Sequence, residues 1–140
     1  METRNVTIGA GLLGTLAACC LSAAVLAGQA GAKVDAAKLV NPVPQSAESA
    51  TAGAALFKRR CAACHGADAK GGPPKEDFTK PASNLVDDQW DHGSSDGEIF
   101  SVIKNGVPPD FLMEPWDDRL SDTDIWNIVN FLRAEAKKGK

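Results

Sequence analysis

Cys61-Ala62-Ala63-Cys64-His65 is the stretch of this chain whose residue types and spacing prescribe a chemistry. On a helical turn, positions i, i+3 and i+4 share one face, so the two thiols and the imidazole point the same way. That is the layout of a covalent haem attachment site, with each thiol bonded to one vinyl group of a porphyrin and His65 giving the iron an axial nitrogen. Other chemistries draw on the same residue types. A zinc site needs four ligands, and outside this motif the sequence offers one further histidine, His92, and no second CxxC pair. A thioredoxin-like redox pair sits at the head of a helix in a βαβ unit, and no strand pattern of that kind surrounds these cysteines. A chance juxtaposition is the remaining reading.

An iron held by one histidine leaves a sixth position, and its occupant decides between carrying electrons and binding small molecules. Met1 is the initiator, so Met113 is the one thioether beyond the N-terminal segment. It lies between Pro109 and Pro115, which restrict the loop around it. Buried methionines commonly just fill core space, and that reading stands beside ligation. His92, in Trp90-Asp91-His92-Gly93-Ser94, is the rival ligand, although its polar surroundings suit a surface loop. A His/Met pair raises the reduction potential relative to a bis-histidine site and closes the iron to outside ligands.

At 140 residues, 44% hydrophobic and 24% charged, the chain reads as one small globular domain behind an export segment. Residues 6–27 carry no charge, Arg4 precedes them, and Ala30, Gly31 and Ala32 follow, as in a signal peptide cut after Ala30 or Ala32. The same run is long enough to anchor the domain in a membrane if it is retained. Leu16-Ala17-Ala18-Cys19 resembles a lipoprotein cleavage box, which would leave Cys19 lipidated, although the residues after it stay apolar through Ala27. Each route predicts a periplasmic or exported domain, soluble or membrane-anchored. Cys19 and Cys20 fall in this segment, so the folded domain keeps only Cys61 and Cys64, which haem consumes. With no disulfide framework, the porphyrin is the extra source of buried apolar area.

The expected organisation is a signal peptide or anchor over 1–32, a flexible leader over 33–48 and the haem domain over 49–138. Pro42 and Pro44 preclude a helix in the leader. A first helix is expected from near Ser49 to about Ala63, with Gly53, Phe57 and Cys61 spaced one turn apart. Residues 66–94 are rich in Gly, Pro, Asp and Lys and read as loop. Ser95-Asp96-Gly97-Glu98 fits a capping box that opens a helix through Ile99, Val102 and Ile103, and Asn105-Gly106 ends it. A last helix is capped by Ser121, carries the stripe Ile125, Ile128, Val129 and Leu132 beside Phe131, and ends at Lys137 and Lys138. No segment alternates with period two, so the fold class is all-α.

The order Cys61, Cys64, His65, then Met113 and a final helix, resembles the monohaem class I cytochromes c over about residues 49–135. The resemblance implies the cytochrome c fold, N- and C-terminal helices packed together around a covalently bound haem. It implies that Gly53 and Phe57 pack against Ile128 and Phe131. It also implies a proline carbonyl accepting the histidine ring N–H, and Pro73 or Pro74 falls there. DGEIFSVIKNGVP and LSDTDIWNIVNFLR resemble small bacterial cytochromes and haem domains of periplasmic dehydrogenases. Two departures concern loops: Glu114 intervenes before Pro115-Trp116, and Ala69 stands where a glycine is common. Trp116 is expected either to donate to a haem propionate or simply to pack.

Net charge is −3, with acids dominating residues 81–126 and bases dominating 50–80 and 127–140. Such a dipole can orient a redox partner, although a solvated acidic surface accounts for it equally. Nothing supplies the broad basic surface that nucleic acid needs. The expectation is a monomeric single-electron carrier and not an enzyme, with one haem c and its iron, serving a dehydrogenase, oxidase or other cytochrome. Five-coordinate haem enzyme or gas sensor, and fixed subunit of a membrane or dehydrogenase complex, are the alternatives.

Overall fold

A computed structural model describes residues 35–72 and 81–138. The expected signal peptide or anchor, Cys19 and the pair Pro73 and Pro74 lie outside the described residues. After a 3-10 turn at Ala36–Lys38 come α1 (Ala47–Arg60), the single turn α2 (Ala62–His65), α3 (Asp96–Asn105) and α4 (Asp122–Lys138). Among the described residues there is no strand, in accord with the all-α expectation. None of their helices is long and apolar enough to cross a membrane.

Helix α1 starts two residues before the position expected, because Ser46 is its cap. The Ser46 hydroxyl accepts the Ser49 N–H at 3.2 Å and the Ser49 hydroxyl accepts the Ser46 N–H at 3.3 Å. Ser49, Gly53 and Phe57 form its buried stripe, with Glu48 in the first turn and Lys58, Arg59 and Arg60 in the last, each sign suited to its end of the helix dipole. That stripe meets α4. A Cβ on Gly53 would overlap the Asn127 carbonyl oxygen, so glycine is what lets the two backbones touch. One turn on, Phe57 and Phe131 pack with ring centroids 5.1 Å apart. Phe57, Ile125, Ile128 and Val129 are fully buried, each stabilising by about 1.5–3 kcal/mol.

Helix α3 opens on the expected capping box, Ser95 with Glu98, and ends at Gly106. Phe100 stacks on Trp126 with centroids 4.1 Å apart, which holds α3 to α4. Lys104 reaches Asp122 at 2.6 Å across the same pair of helices.

Residues 35–46 differ from the flexible leader expected over 33–48. Asn41 donates to the Asn130 side-chain oxygen at 2.8 Å, and the Asn130 amide reaches the Val43 and Pro44 carbonyls at 3.2 Å each and the Ser49 hydroxyl at 2.9 Å. Gly97 admits this strap to α3, since a Cβ there would overlap the Ala36 carbonyl oxygen. The prolines keep the strap extended, and its carbonyls are thereby free to accept from α4.

Candidate functional site

Helix α1 runs straight into the motif. Cys61 still donates to the Phe57 carbonyl at 2.8 Å, but its backbone (φ −114°, ψ −34°) departs from the helix, and α2 restarts at Ala62. The Cys64 and His65 N–H groups both donate to the Cys61 carbonyl at 3.0 Å, so the two thiols and the imidazole share one turn. Gly66 ends that turn at φ 75°, ψ 156°, a region open essentially to glycine. Gly72 lies so near that a Cβ would stand 2.6 Å from the Cys64 carbonyl oxygen.

Both cysteines are free thiols and half-buried. Burial, with the neighbouring Cys64 adding to it, pushes the Cys61 thiol up to about 11. A redox-active pair of the thioredoxin kind needs the opposite shift, so the protonated Cys61 argues against that chemistry. Among the described residues no group of three or more His, Cys, Asp or Glu side chains is arranged to hold a bare metal ion.

His65 Nδ1 lies 3.2 Å from the Ser83 carbonyl oxygen. A carbonyl can only accept, so Nδ1 carries the proton and the Nε2 lone pair is left for a ligand. Burial holds the His65 imidazole below its ordinary range, while the Ser83 carbonyl pulls the other way, and the result favours the neutral ring that binds metal. Ser83 is the partner that reading the sequence missed, because the signal is a backbone carbonyl 18 residues away. The segment carrying it is pinned by the Leu85 N–H, which donates to the Ala69 carbonyl at 2.8 Å. Ala69 itself is buried at φ 58°, which explains why glycine suits that position.

Met113 comes from a separate loop between α3 and α4. It is partly buried against the same hydrophobic core that Cys61 packs against. Its carbonyl accepts the Val107 N–H at 2.9 Å, and the Trp116 N–H reaches the Ile103 and Lys104 carbonyls at 3.2 and 3.1 Å. Gly106 (φ 69°) sits under this closure: a Cβ would stand 2.6 Å from the Met113 carbonyl oxygen and 2.8 Å from the Pro115 nitrogen. Gly106 does more than end a helix. His92, the rival ligand, is exposed on a turn.

The donor set fits a covalently attached porphyrin: two unpaired thiols and a neutral imidazole on one turn, its outer nitrogen engaged and its inner one available. Comparisons with known proteins agree. Residues 48–132 match the family described as Cytochrome C oxidase, cbb3-type, subunit III. The cbb3-type cytochrome c oxidase subunit FixP of Bradyrhizobium sp. (strain ORS 278) is 40% identical over 85 residues, 61% of this chain and 27% of that protein. The chain thus spans little more than a quarter of that relative. Cytochrome c6 of Bryopsis maxima is 34% identical over 92 residues, 62% of this chain and 92% of that protein. The crystal structure of cytochrome CL from Methylophaga aminisulfidivorans MPT superposes with a TM-score of 0.54 at 26% identity, covering 69% of this chain and 57% of that one. The helical arrangement is accordingly the cytochrome c fold, and the cofactor is haem c with its iron. With most of its length, residues 48–132, inside the match, the chain belongs to the Cytochrome C oxidase, cbb3-type, subunit III family of cytochrome c domains.

Proposed function

We propose that this chain is a single-electron carrier that holds one haem c through Cys61 and Cys64, with His65 and Met113 as the axial ligands. The observation that carries the reading is the Cys61–His65 turn, in which both thiols are free and the imidazole is oriented by the Ser83 carbonyl. When bound, haem c supplies a one-electron ferric–ferrous couple. Cys61 and Cys64 would hold the porphyrin, each adding its S–H across one vinyl group to give a thioether, which would leave no thiol proton to titrate. The Ser83 carbonyl fixes the ring of His65 and raises its basicity. Met113 offers a soft sulfur, which favours a higher potential than a second histidine and closes the sixth position. A closed position supports a carrier and not an enzyme, and a monomer is proposed.

FixP and CcoP are named as subunits of cbb3-type cytochrome c oxidases, and their likeness to this chain supports redox partner proteins of the oxidoreductase class. A second reading follows from that likeness: the domain serves as a fixed electron-transfer subunit of such a complex. The two readings share one site and differ in residues 1–32, proposed as a signal peptide or membrane anchor that places the domain in the periplasm or on the outer face of a membrane.

Intact-mass spectrometry of the natively expressed holoprotein tests both parts. One haem added covalently, resistant to acidic acetone, with a mature terminus near Gly31 or Lys33, supports the soluble carrier; retention of residues 6–27 supports the fixed subunit. Extraction of the pigment by acidic acetone rejects covalent attachment. Rapid carbon monoxide binding by the reduced protein rejects Met113 and favours a five-coordinate enzyme or sensor.

A further inference from the structure

We infer that Arg119 is the positioning residue that keeps Met113 in place, by clamping the backbone that follows it. The inference rests on the proposed ligand role of Met113. Its guanidinium makes contacts with four residues of one short segment. Nη2 donates to the Pro115 carbonyl oxygen at 2.6 Å and reaches Glu114 Oε2 at 3.2 Å. Nε donates to Asp118 Oδ1 at 3.2 Å. The guanidinium carbon stands 4.1 Å from the centroid of the Trp116 ring.

These contacts differ in weight. The pairs with Glu114 and Asp118 are exposed, the acids at 67% and 75% and the arginine at 39%, so water screens them and each contributes little alone. The Pro115 carbonyl is different, being a backbone atom two residues past Met113 that fixes main-chain direction. The indole face beneath the guanidinium fixes the plane of the fork. A lysine can supply the charge at any one of these places, but it has no planar fork with which to satisfy them together.

The other side of the same segment is held by backbone. Trp116 N–H reaches the end of α3 at Ile103 and Lys104, and Val107 N–H takes the Met113 carbonyl. The Arg119 and Leu120 N–H groups donate to the Trp116 carbonyl at 3.1 and 2.9 Å, and Leu120 is buried in the core. Residues 113–116 are therefore gripped from α3 on one side and from Arg119 on the other. Without the side-chain grip, the Met113–Trp116 backbone retains its bonds to α3, to Val107 and to the Arg119 and Leu120 N–H groups, and the Pro115 carbonyl between them loses its Arg119 donor.

The test uses full-length, haem-loaded protein and the variants Arg119→Gln and Arg119→Lys. Amide hydrogen exchange at Val107 and Trp116 reads the loop, with Ile128 and Val129 of α4 as internal reference. The red methionine–iron charge-transfer band of the oxidised protein, titrated toward alkaline pH, reads the sulfur. In Arg119→Gln the expected result is exchange on the order of tenfold faster at Val107 and Trp116, unchanged at Ile128 and Val129. The band is expected to vanish about one pH unit lower. Arg119→Lys falls between Arg119→Gln and wild type in both measurements. Wild-type values in both variants overturn the inference, as does faster exchange with an unshifted band. Because the Glu114 pair is exposed and screened, Glu114→Gln should leave both readouts close to wild type, a change as large as that of Arg119→Gln overturning the carbonyl clamp. Arg119→Lys decides the matter if Arg119→Gln fails to fold. A wild-type protein without the band rejects Met113 as ligand, and the exchange measurement then decides for or against the clamp alone.

Discussion

His65 and Met113, the two proposed axial ligands, are presented in contrasting ways. His65 rides on a helix end: its N–H is bonded to Cys61, Cys61 is bonded to Phe57, and Phe57 is buried against Phe131. Met113 sits on a loop whose shape comes from closure, with Val107, Trp116, Gly106 and Arg119 each contributing one constraint. The histidine side is therefore coupled to global stability, while the methionine side can open with the core intact. Segments with few buried contacts open at a fraction of the global free energy, so the methionine side should be the first to yield.

The largest expected lesion strikes the rigid side. Phe57→Ala removes a fully buried ring and its contact with Phe131, and about 3–5 kcal/mol of stability should go with it, measured by denaturant unfolding of the holoprotein. Since the same helix carries the attachment turn, the yield of covalently loaded protein should fall too. A loss below about 1 kcal/mol would mean that α1 and α4 do not form one unit.

A smaller, local effect is expected on the closed side. Gly106→Ala places a Cβ 2.6 Å from the Met113 carbonyl oxygen at a backbone conformation of φ 69°, ψ −174°. The strain costs about 1–3 kcal/mol. It should weaken the methionine–iron band out of proportion to the change in unfolding midpoint. If band and midpoint decline together, the contrast between the two sides is lost.

The smallest effect concerns a helix cap away from both ligands. Hydrogen bonds from the Ser95 backbone and hydroxyl hold the Glu98 carboxyl below its ordinary value of 4.5. A carboxyl depressed on folding stabilises above its unfolded value, and that contribution is lost as pH falls through the folded one. Glu98→Gln keeps an acceptor but cannot titrate, so the acid branch of a thermal-midpoint profile should flatten while the midpoint near pH 7 moves little. An unchanged acid branch would show that the capping box does not sense pH.

Local features were the legible ones. The Cys61–His65 spacing, the Ser95 cap, the Gly106 stop and the α4 stripe are each contained within a turn or two, and α3 and α4 formed accordingly. The strap over residues 35–46 was not legible, because its decisive partner, Asn130, is a polar residue among apolar neighbours whose burial is explained by partners more than 80 positions away in the chain, Asn41, Val43, Pro44 and Ser49. The start of α1 was misread by two residues because two serines compete, and Ser46 takes the cap while Ser49 completes the box. Ser83 and Arg119 act through backbone carbonyls, which carry no residue type for a pattern to detect.

The elevated Cys61 thiol has a consequence for the chain before it is loaded. With a value of about 11, roughly one molecule in ten thousand is ionised there at pH 7, and the thiolate is the form that oxidants and disulfides capture. A folded polypeptide would thus keep this sulfur protonated, and slow to react with oxidants and disulfides, until haem is added. Burial, with Cys64 adding to it, thereby lengthens the window for maturation.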